Sequence, residues 1–198
     1  MKLVIATNNQ HKLVEFRRIL EPLHVEVLSQ SDIHVHVEPE ETGTTFAENA
    51  RIKAQAVFEA CGLPCVADDS GICVDAMNGR PGVYSARYLG EDASQEEKNA
   101  GILKELEGLP AEKRGAHYAC AICCVLNRDN VIETEGRCEG FIGTEPVGDG
   151  GFGYDPIFMV GEKSYAQLSG EEKDKTSHRG KALRQFYQLL QEHLENHK

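Results

Sequence analysis

The sequence lacks any long apolar run. No stretch approaches the roughly 18 consecutive apolar residues that a membrane-spanning helix needs, which excludes a helical membrane protein. At the N-terminus only four apolar residues, 3–6, precede Thr7, and this stretch is too short for a signal peptide. Hydrophobic residues make up 40% and charged residues 27% of the chain, as in ordinary globular proteins. We therefore expect a cytoplasmic globular protein with no membrane partner.

Positive charge is also scarce. The 198 residues include 21 lysines and arginines against 32 aspartates and glutamates, which gives a formal net charge of −11. Such a charge repels a nucleic-acid duplex at long range, so a duplex is not expected as a partner. A small anion remains compatible with it, because binding then needs only a local positive pocket, with or without a divalent cation.

The cysteines number seven, an odd count in a chain with no export signal, which favours reduced thiols in the cytoplasm. Three of them, Cys120, Cys123 and Cys124, lie in an apolar stretch that is typical of a buried strand. On a strand Cys120 and Cys124 face one side and Cys123 faces the other, so the CxxC pair points apart. We predict that these cysteines pack as small apolar residues and bind no metal.

Short apolar stretches alternate with helical periodicity along the chain. Strands are predicted near residues 3–6, 25–27, 64–67, 116–126 and 131–142, and helices after residues 10 and 94 and from about residues 45 and 177. This alternation predicts an α/β fold, and the two long central strands favour a mixed sheet. Since neither a repeat nor a low-complexity linker interrupts the chain, residues 1–198 are predicted to form a single domain.

The first polar cluster, residues 7–12, lies between a predicted strand and a predicted helix. Backbone amides at a helix N-terminus bind anions, and Lys12 adds a positive charge. The cluster matches neither a P-loop nor a dinucleotide-binding loop. The alternative is an ordinary capped helix with a solvated lysine.

The second cluster is Asp68, Asp69, Ser70 and Gly71, which we predict to form a turn directly after an apolar strand. Adjacent carboxylates repel each other unless a positive group lies nearby. Magnesium is a common solution, because it takes carboxylate oxygens and keeps water and phosphate as its other ligands. The acidic loop 38–41 offers a further carboxylate. The alternative is an aspartate pair that only shapes a turn or caps a helix.

The third cluster, residues 150–156, combines glycines with Phe152, Tyr154 and Asp155. Glycine allows close approach of a ligand, and the aromatic rings offer faces for a base, at about 1–3 kcal/mol per stacked base. Asp155 is suited to accept hydrogen bonds from a base or ribose, or to orient a neighbouring cation. The alternative is a tight turn with aromatic rings in the core.

The fourth cluster spans residues 171–179 and includes Lys173, His178 and Arg179. These side chains are suited to neutralise phosphate or to donate hydrogen bonds to a carbonyl group. Taken alone, the segment is equally typical of a charged helix N-terminus.

Six blocks of the sequence together resemble the inosine/xanthosine triphosphate pyrophosphatases, a family that hydrolyses deaminated purine nucleoside triphosphates. They occur in the family's order and with similar spacing across nearly the whole chain. Asn8 replaces a glycine of the family's Thr-Gly-Asn-x-x-Lys pattern, and asparagine tolerates a positive φ better than most residues. The blocks are residues 7–12, 41–50, 67–71, 81–88, 151–156 and 177–179.

The resemblance implies a long twisted mixed β-sheet flanked by helices, two lobes around a central nucleotide cleft, and a homodimer. It implies that Asp69 is the catalytic base and a Mg²⁺ ligand, that Glu40 or Glu41 is the second acidic ligand, and that Ser70 touches the substrate. The residues implied to hold the triphosphate are Thr7, Asn8, Asn9, Gln10, His11 and Lys12. The residues implied to bind the nucleoside or complete base and phosphate recognition are Phe152, Gly153, Tyr154, Asp155, Lys173, His178 and Arg179.

The activity implied by the resemblance is Mg²⁺-dependent hydrolysis of ITP, dITP and XTP to the monophosphate and pyrophosphate, which cleanses the nucleotide pool. In the reaction we infer, water attacks the α-phosphorus while Lys12 and Mg²⁺ offset charge on the leaving group. Asp69 either takes the proton of the water or positions the metal. Donors such as Arg179 and protonated His178 pair with the carbonyl at purine position six and oppose the amino group of adenine.

Three alternatives stay open at this point. A related pyrophosphatase could act on other modified or on pyrimidine nucleotides. A nucleotide-binding sensor without turnover is disfavoured because the acidic groups and Lys12 are present. A structural or RNA-associated module is disfavoured by the net charge of −11.

Overall fold

The computed structural model describes residues 1–196, which form a mixed α/β structure. The strands are β1 Lys2–Ile5, β2 Glu26–Ser29, β3 Cys65–Val74, β4 Gly115–Asn127, β5 Asn130–Ile142, β6 Phe158–Val160 and β7 Lys163–Ser164. The helices are α1 Gln10–Leu20, α2 Phe46–Cys61, α3 Gln95–Glu105, α4 Gly170–Thr176 and α5 His178–Asn196. The predicted α/β class is confirmed, and the last two residues of the predicted domain 1–198 lie outside the described residues.

The strands form a mixed sheet in the order β2-β1-β3-β4-β5-β6-β7. Strand β1 pairs in parallel with β2 and β3, whereas β6 pairs antiparallel with β5 and β7. In β4, Cys120 and Cys124 belong to one apolar cluster and Cys123 to another, so the predicted alternation of the cysteines is confirmed. All seven cysteines are free thiols.

The first of two compact units is built around two apolar clusters. Helix α1 buries Leu13, Phe16 and Leu20 on one face, and α5 adds Phe186 and Leu190 to the same cluster. Each such side chain contributes about 1.5–3 kcal/mol on burial, so both helices are firmly anchored. The unit comprises Met1–Asp69, Cys120–Gly136 and the C-terminal residues from Arg179.

Helix α2 packs within the other cluster of this unit. Its buried Ala50, Ala54 and Val57 share the cluster with Cys65 and Ala67 of β3. The helix starts with a capping box formed by its N-cap threonine and a glutamate three residues on, as its sequence favours. It ends at a glycine in the left-handed conformation, with φ of 68°.

The second compact unit comprises Ser70–Ala119 and Arg137–His178. Its core is one apolar cluster with a high content of aromatic rings, among them Tyr118, Phe158 and Tyr165. Helix α3 begins after residue 94 as predicted, with a capping box formed by Ser94 and Glu97, and it buries Ile102 in this core.

One local prediction was wrong. Residues 68–71 do not form a turn, because β3 continues through them as one ten-residue strand. The β-branched and apolar residues 72–74 extend the strand beyond the acidic pair, and the pair is neutralised by cations from other elements. Helix α4 was not predicted, although Ser169 and Glu172 form a capping box at its start.

Within residues 1–196, no helix is long and apolar enough to cross a membrane.

Candidate active site

The N-terminus of α1 is closed by Asn9. Its Oδ1 accepts hydrogen bonds from the backbone N–H groups of His11 and Lys12, at 2.9 and 3.4 Å. Thr7 Oγ1 accepts from the N–H of Asn9 at 3.1 Å, which fixes the turn after β1. These contacts correspond to the capped-helix alternative, since both amides are bonded within the helix start. Gln10 and His11 are exposed, and the Lys12 side chain is the cation that this turn directs inward.

Asp68 joins two cations in the first unit. Its Oδ2 lies 3.1 Å from Lys12 Nζ and 3.0 Å from Arg179 Nε. Arg179 also donates from Nη1 to Glu15 Oε2 at 2.8 Å, and its side chain is only 4% exposed. Burial alone would raise the pKa of Asp68, but the charges of Lys12 and Arg179 outweigh it and hold that pKa well below its usual range. Asp68 is therefore ionised at neutral pH and holds two cations together.

Asp69 has a different partner. Lys53 Nζ of α2 lies 3.2 Å from Asp69 Oδ1 and 3.4 Å from Glu41 Oε1, so one ammonium is shared by two carboxylates. The other oxygen of Asp69, Oδ2, is buried and has no hydrogen-bond partner among the described residues. Burial raises the pKa of Asp69, an effect that the Lys53 charge opposes and the Glu41 charge reinforces. A buried carboxylate oxygen without a partner is costly in free energy and typical of a functional site.

The adjacent carboxylates do not compete for one cation. Neighbouring residues of a strand point to opposite faces, and Asp68 and Asp69 accordingly find different lysines, Lys12 and Lys53. The repulsion expected between adjacent carboxylates is therefore relieved by cationic side chains on both faces of β3.

The loop before α2 delivers Glu41 to this site. The N–H of Gly43 donates to Asn49 Oδ1 at 2.8 Å, and a Cβ on Gly43 would lie only 2.6 Å from that oxygen. Glu48 accepts a hydrogen bond from the N–H of Thr45 at 3.2 Å, which completes the helix cap. Block 41–50 therefore comprises the segment that leads into α2, where position 43 requires glycine, and the first residues of the helix itself.

A divalent cation fits this site only in part through protein ligands. Within residues 1–196, no three His, Cys, Asp or Glu side chains come together as a metal-binding group. Asp69 and Glu41 nevertheless converge on one ammonium, and Asp69 Oδ2 is available as a ligand. That set suits Mg²⁺, which is usually held by one or two carboxylates plus substrate phosphates and water. Of the other predicted residues near this site, Glu40 is exposed. Glu38 accepts a hydrogen bond from the side-chain amide of Asn8. The backbone φ of Asn8 is not positive.

In the second unit, Asp155 organises the glycine-rich turn. Its Oδ2 accepts hydrogen bonds from Lys173 Nζ at 2.8 Å and from the N–H of Phe152 at 2.9 Å. Gly151 has φ of 69°, and a Cβ there would lie 2.2 Å from Asp155 Oδ2, so only glycine fits. Lys173 Nζ also lies 5.0 Å from the centroid of the half-buried Phe152 ring. Of the roles predicted for Asp155, orienting a neighbouring cation is the one that these contacts match.

His178 belongs to an aromatic stack in the second unit. Its ring is nearly parallel to that of Tyr118, with centroids 4.5 Å apart, and Tyr165 follows at 5.4 Å from Tyr118. The Tyr118 hydroxyl lies 3.5 Å from Asp155 Oδ1. The stack fixes the plane of the imidazole, which is only 5% exposed.

Other predicted nucleoside contacts are less accessible. Tyr154 is 4% exposed and donates its hydroxyl hydrogen to the carbonyl oxygen of Ser85 at 2.6 Å, which matches the alternative of a core aromatic. Gly153 has φ of 64°, and its carbonyl oxygen accepts from Asn99 Nδ2 at 3.4 Å. Ser70 is half-buried at the start of the second unit's part of β3.

The structure thus gathers three groups of predicted residues: Asp69 with Glu41, Lys12 with Arg179, and Asp155 with Lys173 and Phe152. Sequence reasoning missed Lys53 and Glu15, which lie on the buried sides of their helices. Lys53 follows Ala50 by three residues and so lies on the apolar stripe of α2, a signal that was available in the sequence.

Comparison with known proteins identifies relatives along nearly the whole chain. The dITP/XTP pyrophosphatase of Bacillus subtilis (strain 168) is 45% identical over 190 residues, covering 95% of this chain and 96% of that protein. The protein of the same name from Geobacter sulfurreducens is 47% identical over 195 residues, covering 98% and 96%. Among solved structures, the HAM1 protein from Coxiella burnetii matches with a TM-score of 0.89 and 40% identity, covering 97% of this chain and 99% of that one. Residues 3–189 match the Ham1 family, and the chain belongs to that family.

Proposed function

We propose that this protein hydrolyses deaminated purine nucleoside triphosphates, such as ITP, dITP and XTP, to the monophosphate and pyrophosphate. The names of the relatives from Bacillus subtilis and Geobacter sulfurreducens support this substrate class. The observation that carries the proposal is Asp69, whose buried Oδ2 has no hydrogen-bond partner within residues 1–196 while its Oδ1 lies beside Lys53. A carboxylate held in this way is suited to take a proton from water.

In the proposed reaction, the water oxygen bonds to the α-phosphorus while Asp69 accepts a proton from that water. The bond from the α-phosphorus to the bridging oxygen breaks, and pyrophosphate leaves with the bonding electron pair. Because Asp69 also has the character of a metal ligand, its second possible role is to position a cation that activates the water. Lys12, whose side chain is 15% exposed, binds the phosphate chain and offsets charge on the leaving group.

The charge balance among the ion-paired side chains around Asp68 and Asp69 supports a requirement for Mg²⁺. Three cations, Lys12, Lys53 and Arg179, are paired with four carboxylates. The group is therefore not positive by itself, and a triphosphate needs additional positive charge to bind. Asp69 and Glu41 are the side chains that would hold Mg²⁺, with exposed Glu40 as the alternative second ligand. When bound, the ion would neutralise phosphate charge and lower the pKa of a water ligand.

Base selection is assigned to the second unit. Two donors in this unit suit a carbonyl at purine position six. The imidazole of His178 is stacked on the ring of Tyr118. The ammonium of Lys173 is hydrogen-bonded to Asp155. Adenine carries an amino group at position six, which such donors oppose. Phe152 offers a partly exposed ring face against which the base can stack. The homodimer implied by the family resemblance and the cytoplasmic location expected from the composition stay predictions.

The test is a panel of triphosphates with identification of both products. We expect ITP, dITP and XTP to give the monophosphate and pyrophosphate, with ATP turned over at least about 10²-fold more slowly in kcat/KM. Omitting Mg²⁺ should abolish the activity. Preferential cleavage of pyrimidine nucleotides would favour the related pyrophosphatase, and tight binding without turnover would favour a sensor.

Lys12→Ala should raise KM for ITP about 10- to 100-fold, the scale of one charge-assisted hydrogen bond. Binding of IMP should change less, because Lys12 is assigned to the phosphate chain beyond the nucleoside monophosphate. The measurement is KM for ITP together with the inhibition constant of IMP. Lys104→Ala, which removes an exposed lysine of α3, is the control and should behave as the wild type. Equal weakening of both ligands would mean that Lys12 does not act on the triphosphate tail.

A further inference from the structure

Two thiols meet where α2 ends and β3 begins. Cys61 is the last residue of α2, Cys65 is the first residue of β3, and their sulfur atoms lie 3.4 Å apart. A disulfide requires an S–S distance of about 2.05 Å, so the sulfurs must approach by only about 1.4 Å. The pair takes no part in the proposed reaction.

The intervening turn holds both thiols in place. Gly62 adopts φ of 68° and its N–H donates to the carbonyl oxygen of Phe58 at 2.8 Å, which terminates α2. The backbone of Leu63 contacts both sulfurs: its N–H lies 3.5 Å from Cys61 Sγ, and its carbonyl oxygen lies 3.1 Å from Cys65 Sγ. The two thiols are thus set face to face by hydrogen bonds to the backbone of one residue, Leu63.

The two thiols differ in access to solvent. Cys61 is half-buried, whereas Cys65 is completely buried in the apolar cluster of α2 and β3. Burial raises the pKa of the Cys65 thiol well above its usual value. An external oxidant therefore reaches Cys61 first, and Cys65 is placed to react only with a group already attached to Cys61.

We propose that Cys61 and Cys65 form a redox-active pair that closes to a disulfide when the protein meets a low-molecular-weight disulfide. The Cys61 thiolate attacks the external disulfide, forms a mixed disulfide and releases one thiol. The sulfur of Cys65 then attacks Cys61 Sγ and passes its proton to the departing thiolate, which leaves as the second thiol. The two protein thiols are oxidised, the external disulfide is reduced to two thiols, and a thiol reductant reverses the reaction.

The bond would join the same two elements that hold the Lys53–Asp69 ion pair. Lys53 lies on α2 and Asp69 on β3, and Cys65 and Asp69 are on the same face of the strand because they are four residues apart. The disulfide would therefore fix the end of α2 to the strand that carries the candidate catalytic carboxylate.

The experiment is thiol counting and peptide mapping after incubation with oxidised glutathione. We expect the native protein to lose two of its seven thiols and to yield one crosslinked peptide that contains Cys61 and Cys65. Cys65→Ser should stop at a stable glutathione adduct on Cys61, and Cys61→Ser should lose no thiol at either position. Cys73→Ser, which removes another half-buried thiol, should behave as the wild type.

Either of two results would overturn the proposal. One is a native protein that retains both thiols, and the other is an adduct in Cys65→Ser that forms on a residue other than Cys61. Peptide mapping of the wild-type protein shows whether Cys61 and Cys65 form the disulfide even where a variant fails to fold. Neither result depends on nucleotide hydrolysis.

Discussion

Asp69→Asn should abolish measurable turnover of ITP while binding of the nucleotide largely survives. The amide has nearly the shape of the carboxylate, but it cannot accept the proton of water and is a poorer Mg²⁺ ligand. The expected loss in kcat is at least about 10²–10⁴-fold, the usual contribution of a positioned general base. Single-turnover kinetics and equilibrium binding of ITP would separate the two effects. Asp129→Asn, at an exposed position between β4 and β5, is the matched control.

The pH dependence should report the same carboxylate. Because burial raises the pKa of Asp69, its catalytically active ionised form is lost at a higher pH than for an ordinary aspartate. The acid limb of kcat/KM should therefore lie above pH of about 4, the reference value for aspartic acid. A near-normal kcat in Asp69→Asn would exclude Asp69 from the mechanism, whatever the pH profile.

Arg179→Ala should destabilise the fold by about 3–5 kcal/mol, because it leaves Glu15 and Asp68 without their shared buried cation. Urea unfolding monitored by circular dichroism measures the loss. Adding Glu15→Gln to Arg179→Ala should restore part of the stability, since one uncompensated charge is removed. Arg128→Ala, at an exposed position, should change the free energy of unfolding by less than about 0.5 kcal/mol.

The direction in which this loss of stability changes with pH follows from the lowered pKa of Asp68. Its ionised form stabilises the native state above the unfolded pKa of about 3.9, and this contribution is lost as pH falls toward the lower folded value. Without Arg179, less of that stabilisation exists to be lost. The stability gap between the wild type and Arg179→Ala should therefore narrow below pH of about 4.

The same variant decides which part of the substrate Arg179 serves. Its contacts with Asp68 and Glu15, in the group that contains Lys12, favour a role toward phosphate. In that case Arg179→Ala lowers kcat/KM for ITP and ATP by the same factor. A donor to the carbonyl at position six would instead lose about 2–4 kcal/mol for ITP alone, and discrimination between the two nucleotides would collapse.

Local patterns predicted those parts of the fold that local forces determine. The start of α2 near residue 45, the start of α3 after residue 94 and the alternation of the cysteines in β4 followed from residue type and spacing. The turn predicted at Asp68 and Asp69 was wrong because the charges that keep β3 extended come from distant parts of the chain. No periodicity in residues 67–71 reveals that Lys12, Lys53 and Arg179 will neutralise them.

The candidate site was predictable to a similar extent. The polar blocks of the sequence contain most of the side chains that the structure brings together. They do not indicate which of these side chains contact each other. Asp155 and Tyr154 are neighbours in one block, yet the carboxylate of Asp155 orients Lys173 while the phenol of Tyr154 points into the core. Such a distinction depends on burial, which a single sequence reports only through the spacing of its apolar residues.

Because β3 continues without interruption through its acidic pair, the number of strand residues before the pair decides which face each carboxylate occupies. Inserting or deleting one residue between Val66 and Asp68 would exchange the faces of the two carboxylates, so each would approach the other's lysine. A change of two residues would restore the faces but shift both carboxylates by about 6.6 Å along the strand. Length variation among related chains is therefore expected in the turn before Cys65 and not within the strand, where neither an odd nor an even change preserves both ion pairs.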